Sequence, residues 1–508
     1  MKFSSPISEQ GALGFVVVLC ILLLRLSGTK RRAKLPPGPP GIIFFGNLFQ
    51  LSPRIWLKFT SWKTYGSVVY LGVAGRSIII LNNAKAAVDL LDRRASLYSD
   101  RPQNIVASEL MGGSLLFAFI HYGDTWRRMR RAAEEGLRKT IAHRFHAIQL
   151  REAIFLTHSL LVNPGSWDSH LRRTAASVIL SMVYDTPAVL SEEDPKITRI
   201  NDFVERIVRA AYPGAYLVEY FTWMRYLPTW SAKWKRDALE QHRIHDAMFQ
   251  GLFNEVRDRI AQDDQSSSFC ADLLEKKDRH GLNERESAWA AGMLYIGGAE
   301  TTSGALAWFI FAMLSFPEVQ RRAQKELDAI IGRSRMPTFA DYDSLPYMRA
   351  LIKEVLRWAP IAPLGVPHRL AEDDYYDGHL IPQGSIVITN MWAINRDPQV
   401  YGDNADMFEP NRHLDEDSQL GHHAFGFGRR ICVGRHVAND SLFIDCANIL
   451  WALSIEPFRD DNGVPIIPGL DESIDAGIVV RPPMFRCSFT PRFASATEIV
   501  ANTKELVV

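Results

Sequence analysis

The chain has 508 residues, 47% of them hydrophobic and 23% charged, the balance of a folded protein with a large core, which argues against a disordered, collagen-like or many-span membrane chain. Basic side chains number 58 and acidic ones 57, so the whole molecule carries no positive field for steering a nucleic acid. Five scattered cysteines, Cys20, Cys270, Cys432, Cys446 and Cys487, contain no Cys-x-x-Cys pair, so a secreted disulfide framework, a zinc ribbon and a multi-cysteine iron–sulfur cluster all lose their usual ligands.

Residues 11–24, GALGFVVVLCILLL, form an uninterrupted apolar stretch. Arg25, Lys30, Arg31, Arg32 and Lys34 follow it, whereas Lys2 and Glu9 precede it, the charge pattern of an uncleaved anchor with its body in the cytosol. A helix over about residues 7–26 reaches the roughly 20 residues of a membrane span. A cleaved signal and a buried core helix are the alternatives. Four prolines in Leu35-Pro36-Pro37-Gly38-Pro39-Pro40-Gly41 forbid helix continuation and favour a stiff connector. The expected division is a membrane anchor over residues 1–27, a basic and proline-rich hinge over 28–41, and one large domain over 42–508, mainly α with small β-sheets.

Residues 67–81, SVVYLGVAGRSIIIL, read as a hairpin turning at Gly75. In the next region, Trp126-Arg127-Arg128-Met129-Arg130-Arg131 is a basic run in a helical context. Asn283 followed by Glu286 has the form of a capping box, and the helix it opens continues to Ser315, before Phe316-Pro317. At ~1.5 Å per residue this helix spans about 45 Å. Inside it, Gly297-Gly298-Ala299-Glu300-Thr301-Thr302 places two glycines beside polar groups, which points to a kink or to the close approach of a flat ligand. Glu354 and Arg357 sit three apart on one helix face. Residues 375–390 hold short strands punctuated by Asp377-Gly378. The segment from 494 is polar and carries no pattern.

The most informative stretch is Phe425-Gly426-Phe427-Gly428-Arg429-Arg430-Ile431-Cys432-Val433-Gly434, followed by a helical pattern over about 435–453. Glycines let the backbone approach the sulfur, and a helix N-terminus favours a thiolate. On these grounds Cys432 is a buried structural thiol, a nucleophile or a single metal ligand.

The order Phe-x-x-Gly-x-x-x-Cys-x-Gly, filled by Phe425, Gly428, Cys432 and Gly434, resembles the haem-binding loop of cytochrome P450 monooxygenases. Glu354 with Arg357, the segment Phe408-Glu409-Pro410-Asn411-Arg412, the Trp126/Arg130 spacing, Pro367-His368-Arg369 and the Gly297–Thr302 segment resemble further motifs of that family in the expected order. His413 stands where the family usually has phenylalanine. The resemblance implies the cytochrome P450 fold and haem b, with Cys432 as the thiolate ligand of iron. Trp126, Arg130, His368 and Arg430 would contact the haem propionates, while Glu300 and Thr301 would be the catalytic pair. Arg412 would join Glu354 and Arg357 in a network behind the haem.

It further implies electrons from NADPH through a cytochrome P450 reductase, with cytochrome b5 as a second donor. Arg127, Arg128 and Arg131 would form the docking face, or simply a solvated one. The overall pattern is that of a fungal, endoplasmic-reticulum enzyme of secondary metabolism, acting on an apolar molecule such as a terpenoid. Its pocket would be drawn from residues 106–119, 293–302, 361–366 and 477–480. A reductase-independent haem-thiolate isomerase or dehydratase, and a non-catalytic haem carrier or gas sensor, are the competing readings.

Overall fold

The computed structural model describes residues 34–507 except 212–214, 263–266, 416–419 and 476. The expected anchor over 1–27, with Cys20, and the first part of the hinge lie outside the described residues. Among the described residues no single helix is long and apolar enough to cross a membrane.

The proline segment is fastened to the body. The Tyr70 N–H donates to the Pro37 carbonyl at 3.0 Å, and Asn47 Nδ2 donates to the Pro39 carbonyl at 3.0 Å. A Cβ at Gly38 would lie 2.0 Å from the Tyr70 carbonyl oxygen, so glycine permits this close approach. The sheet beneath it begins with the predicted hairpin, β1 (Val68–Val73) and β2 (Arg76–Leu81), in register from Val68 opposite Leu81 to Val73 opposite Arg76. Ala74 and Gly75 both have positive φ, the conformation a two-residue turn needs to follow strand twist. Further strands are β3 (His368–Arg369), β4 (Asp374–Tyr376), β5 (His379–Ile381) and β6 (Ile386–Thr389). The four-stranded sheet runs β1-β2-β6-β3, with β6 parallel to β2, while β4 and β5 make the hairpin expected at Asp377-Gly378.

The remainder is mostly helical. The helices that position the site are α1 (Asp124–Leu137), α2 (His146–Val162), α3 (Trp167–Tyr184), α4 (Lys233–Ile260), α5 (Glu284–Ser315), α6 (Pro346–Trp358) and α7 (Arg435–Ala452). At the start of α5, Asn283 Oδ1 accepts from the Glu286 N–H at 2.8 Å while Glu286 accepts from the Asn283 N–H at 3.0 Å, the predicted capping box.

Two large apolar clusters meet on α5. Ala288, Trp289, Ala291 and Ala299 belong to one, together with Phe117, Trp126 and Val437; Ala305 to Leu314 belong to the other, with Trp358, Ile361 and Val479. Between them lies the polar stretch Glu300-Thr301-Thr302-Ser303-Gly304, so the two halves of the core are joined by a helix whose middle is left for chemistry.

A final helix, α8 (Ala496–Val507), packs against α2 where the reading of the sequence predicts no element. Ala496 and Val500 are its buried residues, with half-buried Ile499 and Val507 packed beside them, an apolar stripe short enough to escape notice among Thr497, Glu498, Asn502, Thr503, Lys504 and Glu505.

Candidate functional site

The loop before α7 is shaped by its glycines. Gly426 and Gly428 have φ of 79° and 60°, and at Gly428 a Cβ would fall 2.1 Å from the Leu91 carbonyl oxygen. The Cys432 N–H closes the loop onto the Phe425 carbonyl at 2.9 Å. The backbone N–H groups of Gly434 and Arg435 favour the charged form of the Cys432 sulfur. Burial pushes the thiol pKa up; those two N–H groups and the nearby Arg130 and Arg435 charges pull the other way. Although the surrounding protein desolvates its thiol, Cys432 is the exposed residue among the four described cysteines; Cys270 and Cys446 are fully buried, and burial pushes both thiols well up. Among the described residues no group of three His, Cys, Asp or Glu side chains could hold a metal ion.

A wall of basic side chains, Arg101 and His368 buried and Arg430 half-buried, stands beside this loop. Arg430 donates to the carbonyls of Ser99, Phe117 and Ile120 at 2.9, 3.1 and 2.9 Å, with its guanidinium 4.2 Å from the Trp126 ring centroid. Arg101 donates to the carbonyls of Ala118, Val366 and Pro367 at 2.9, 2.6 and 2.8 Å. His368 Nδ1 pairs with the Tyr98 carbonyl at 2.7 Å. Burial and the Arg430 charge push Arg101 far below its ordinary range; burial, with Arg130 adding repulsion against a partial offset from Asp100, brings Arg430 down to about 9; burial and both arginines keep His368 neutral. Basic groups crowded this way in low dielectric favour an incoming anion.

The residues fit haem. The two propionates supply the carboxylates that the cation wall lacks, and a Cβ added at Gly297, Gly426 or Gly434 would meet nothing within 4 Å, so a flat macrocycle has room against α5 and the loop. Arg130 takes a different position from Arg430: it donates to the Ile431 carbonyl at 2.6 Å and pairs with Glu134 at 2.9 Å, bracing the peptide next to Cys432. Arg101 escaped the sequence reading because Asp100-Arg101-Pro102 looks like an ordinary turn; only its burial singles it out.

On α5, the Thr301 hydroxyl donates to the Gly297 carbonyl at 2.6 Å, leaving its lone pairs to accept. The helix runs unbroken through Gly297-Gly298, and its polar middle is marked by this back-bond. Glu300 faces the other way, paired with Arg172 of α3 at 3.1 Å and Arg481 at 3.5 Å.

Behind the loop, Glu354 and Arg357 are both fully buried on α6, with two contacts of 2.6 and 2.7 Å. Arg412 Nε reaches Glu354 at 3.2 Å and the Glu409 N–H donates to it at 2.7 Å. His413 does more than fill space: its Nε2 lies 2.9 Å from the Glu354 carboxylate, so it joins the network. These partners hold the Glu354 carboxyl below the usual range although burial raises it.

His422, at the entry to the Cys432 loop, accepts the Ala424 N–H at its Nδ1 and is pushed down to about 3, chiefly by burial and then by His413 and His423. A histidine kept neutral in the fold but protonated when unfolded stabilises fully above its ordinary pKa and loses that contribution as pH falls toward the folded value. Lowering the pH from 7 to 5 is therefore expected to cost up to about 2 kcal/mol at this residue alone. Urea unfolding at both pH values checks it: H422N should show a shallower loss than the parent chain.

Of the expected docking arginines, Arg127 and Arg131 are exposed, whereas Arg128 is engaged by Asp124 at 2.9 Å and Glu286 at 2.8 Å. The expected pocket wall combines buried Leu116, Phe117, Ile361 and Val479 with half-buried Leu115, Ile296 and Leu364.

The cytochrome P450 family model matches residues 36–487. A cytochrome P450 monooxygenase of Armillaria gallica is 51% identical over 515 residues, covering 99% of this chain and 98% of that one. Cytochrome P450 monooxygenase 253 of Postia placenta is 44% identical over 512 residues, covering 99% and 97%. Among solved structures, a zebra fish cytochrome P450 with progesterone superposes with a TM-score of 0.71 at 25% identity, covering 86% of this chain and 99% of that one.

Proposed function

The chain belongs to the cytochrome P450 family and is a haem-thiolate monooxygenase, and from that premise we propose that Cys432 ligates haem iron, that Arg101, Trp126, Arg130, His368 and Arg430 serve the macrocycle and its propionates, and that Glu300 and Thr301 manage protons. The observation that carries this is the exposed Cys432 in a loop shaped by positive-φ glycines, beside a wall of basic side chains. Haem bound there supplies the iron centre at which dioxygen is reduced, with thiolate donation favouring O–O cleavage.

The reaction consumes substrate, O2, two electrons and two protons and yields hydroxylated substrate and water. The protein's tasks follow from that balance. Gly434 and Arg435 stabilise negative charge on the sulfur through their N–H groups. Arg130 holds the adjacent peptide still. Thr301 presents an acceptor, and Glu300 exchanges protons with solvent.

NADPH is the proposed electron source, through a cytochrome P450 reductase with cytochrome b5 as a second donor. Exposed Arg127, Arg131 and Arg429, near or on the Cys432 loop, support an acidic partner on this side. An endoplasmic-reticulum anchor with a cytosolic domain draws support from the apolar stretch 11–24 and from apolar side chains left in solvent: Phe44 is 82% exposed and Trp230 80%, with Phe49 and Trp223 also exposed. Arg76 ties the two regions together, donating to the Glu219 carbonyl with its guanidinium 5.3 Å from the Tyr220 ring. The apolar pocket wall and the fungal relatives support an apolar secondary metabolite as substrate, a terpenoid being the leading class.

The test is expression of the full chain in microsomes with a reductase and a panel of apolar metabolites, followed by mass analysis. A product heavier by one oxygen atom that requires NADPH is expected; a product formed without NADPH would mean isomerase or dehydratase chemistry instead. In the same assay Thr301→Ala is expected to divert reducing equivalents into hydrogen peroxide, and undiminished product per NADPH would remove Thr301 from the mechanism.

A further inference from the structure

Glu300 is one of four charged side chains that close a ring. Glu300 pairs with Arg172 at 3.1 Å and with Arg481 at 3.5 Å. Asp168, one turn before Arg172 on α3, pairs with Arg172 at 2.9 Å and with Arg481. The signs alternate around the ring, two carboxylates and two guanidiniums, so its net charge is zero. It connects α3, α5 and the short strand Val480–Arg481, and Arg481 adds a bond to the Ser303 hydroxyl at 3.1 Å. The Arg481 side chain is only 8% exposed and that of Glu300 31%, so screening by solvent is weaker than for a surface pair.

This ring stands in the way of a proton relay. A carboxylate held by two guanidiniums must give up at least one before it can turn toward Thr301. Arg172 is on α3 and tied to Asp168 as well. Arg481 is linked to the apolar part of the pocket wall. It follows Val479 and Val480 in the chain; a Cβ at Gly304 would touch Val479 at 3.5 Å, Ile361 at 3.6 Å and the Arg481 guanidinium at 3.9 Å. The Val480 N–H donates to the Ile361 carbonyl at 2.8 Å, and its carbonyl accepts from Trp308 Nε1 at 2.9 Å. The strand thus lies between the apolar pocket wall and the charged ring.

We infer that Arg481 is a positioning residue that couples the filling of the apolar pocket to proton supply. A substrate pressing on Val479 and Ile361 shifts the strand, Arg481 loosens from Glu300, and Glu300, left on Arg172 alone, turns to Thr301. With the pocket empty the ring stays closed and protons are withheld. This rests on the proposed role of Glu300.

Two measurements test it on the full haem-loaded enzyme. The first is a thermal-unfolding double-mutant cycle with E300Q and R481Q, run alone and with the panel compound that binds most tightly by its visible-spectrum shift. The two substitutions should be non-additive in the free enzyme and additive with the compound bound; equal interaction in both states would overturn the inference. The second is NADPH consumption without substrate, in which NADPH, O2 and a proton give NADP+ and hydrogen peroxide. R481Q should raise this leak roughly fivefold, the factor a single lost ion pair carries, while R481K should restore it toward the parent rate. Adding E300Q should cancel the R481Q effect, because Arg481 acts through Glu300; a leak that persists in the double variant would overturn the coupling. If E300Q alone leaves coupling and the solvent isotope effect of turnover unchanged, the proposed role of Glu300 fails, a result separable from both outcomes above.

Discussion

Serine at position 432 is expected to leave a folded chain that has lost the carbon monoxide difference band of thiolate-ligated haem, together with product formation. The loop geometry does not depend on the sulfur: the N–H of residue 432 still reaches the Phe425 carbonyl, and the positive-φ glycines at 426 and 428 keep their conformation. What changes is the donor. A neutral hydroxyl beside the Gly434 and Arg435 N–H groups carries little electron density to give, whereas a thiolate in the same place is stabilised by them. The expected loss in turnover is at least ~10³-fold, about 4 kcal/mol of barrier. Cys446→Ser is the contrasting variant: that thiol is fully buried in the core, so the hydroxyl should lower thermal stability while the difference band survives. A C432S enzyme that keeps the thiolate band would dismiss Cys432 as the ligand.

How far the residues announce this arrangement depends on how local each signal is. The capping box at Asn283, the hairpin turn at Ala74-Gly75 and the Asp377-Gly378 turn involve neighbours within a few positions, and all were legible. So was the loop around Cys432, because its glycines serve the loop's own backbone. The interactions that were not legible join distant segments. Asp168 and Arg481 are 313 positions apart, and Arg101 gains its character from carbonyls at 366 and 367 that only the folded chain brings near. His413 read as a departure from the family pattern, and nothing nearby in sequence announces that it bonds Glu354, 59 positions earlier. The missed helix α8 is the remaining case, where a short apolar face gains its meaning from α2.

Glutamine at position 354 is expected to be the most damaging substitution outside the haem pocket. Every N–H of Arg357 is used: two reach Glu354, and the others the carbonyls of Asn395, Ala405 and Met407 at 2.6, 2.7 and 2.8 Å. Arg412 and His413 converge on the same carboxylate. Removing its charge leaves fully buried Arg357 and the nearby Arg412 without their anion, a loss of about 3–5 kcal/mol by the measure of other broken buried pairs. Because a domain's whole stability is on the order of 5–15 kcal/mol, much of the E354Q chain should fail to retain haem on expression, read as the ratio of haem absorbance to protein. His413→Phe separates charge from shape. It removes one bond to Glu354 but keeps both arginines and a ring in the same place, so it should cost at most about 1–3 kcal/mol and leave haem content near that of the parent. Urea unfolding of the two variants orders them, and an E354Q chain as stable as His413→Phe would mean that the carboxylate charge is not what holds this corner together.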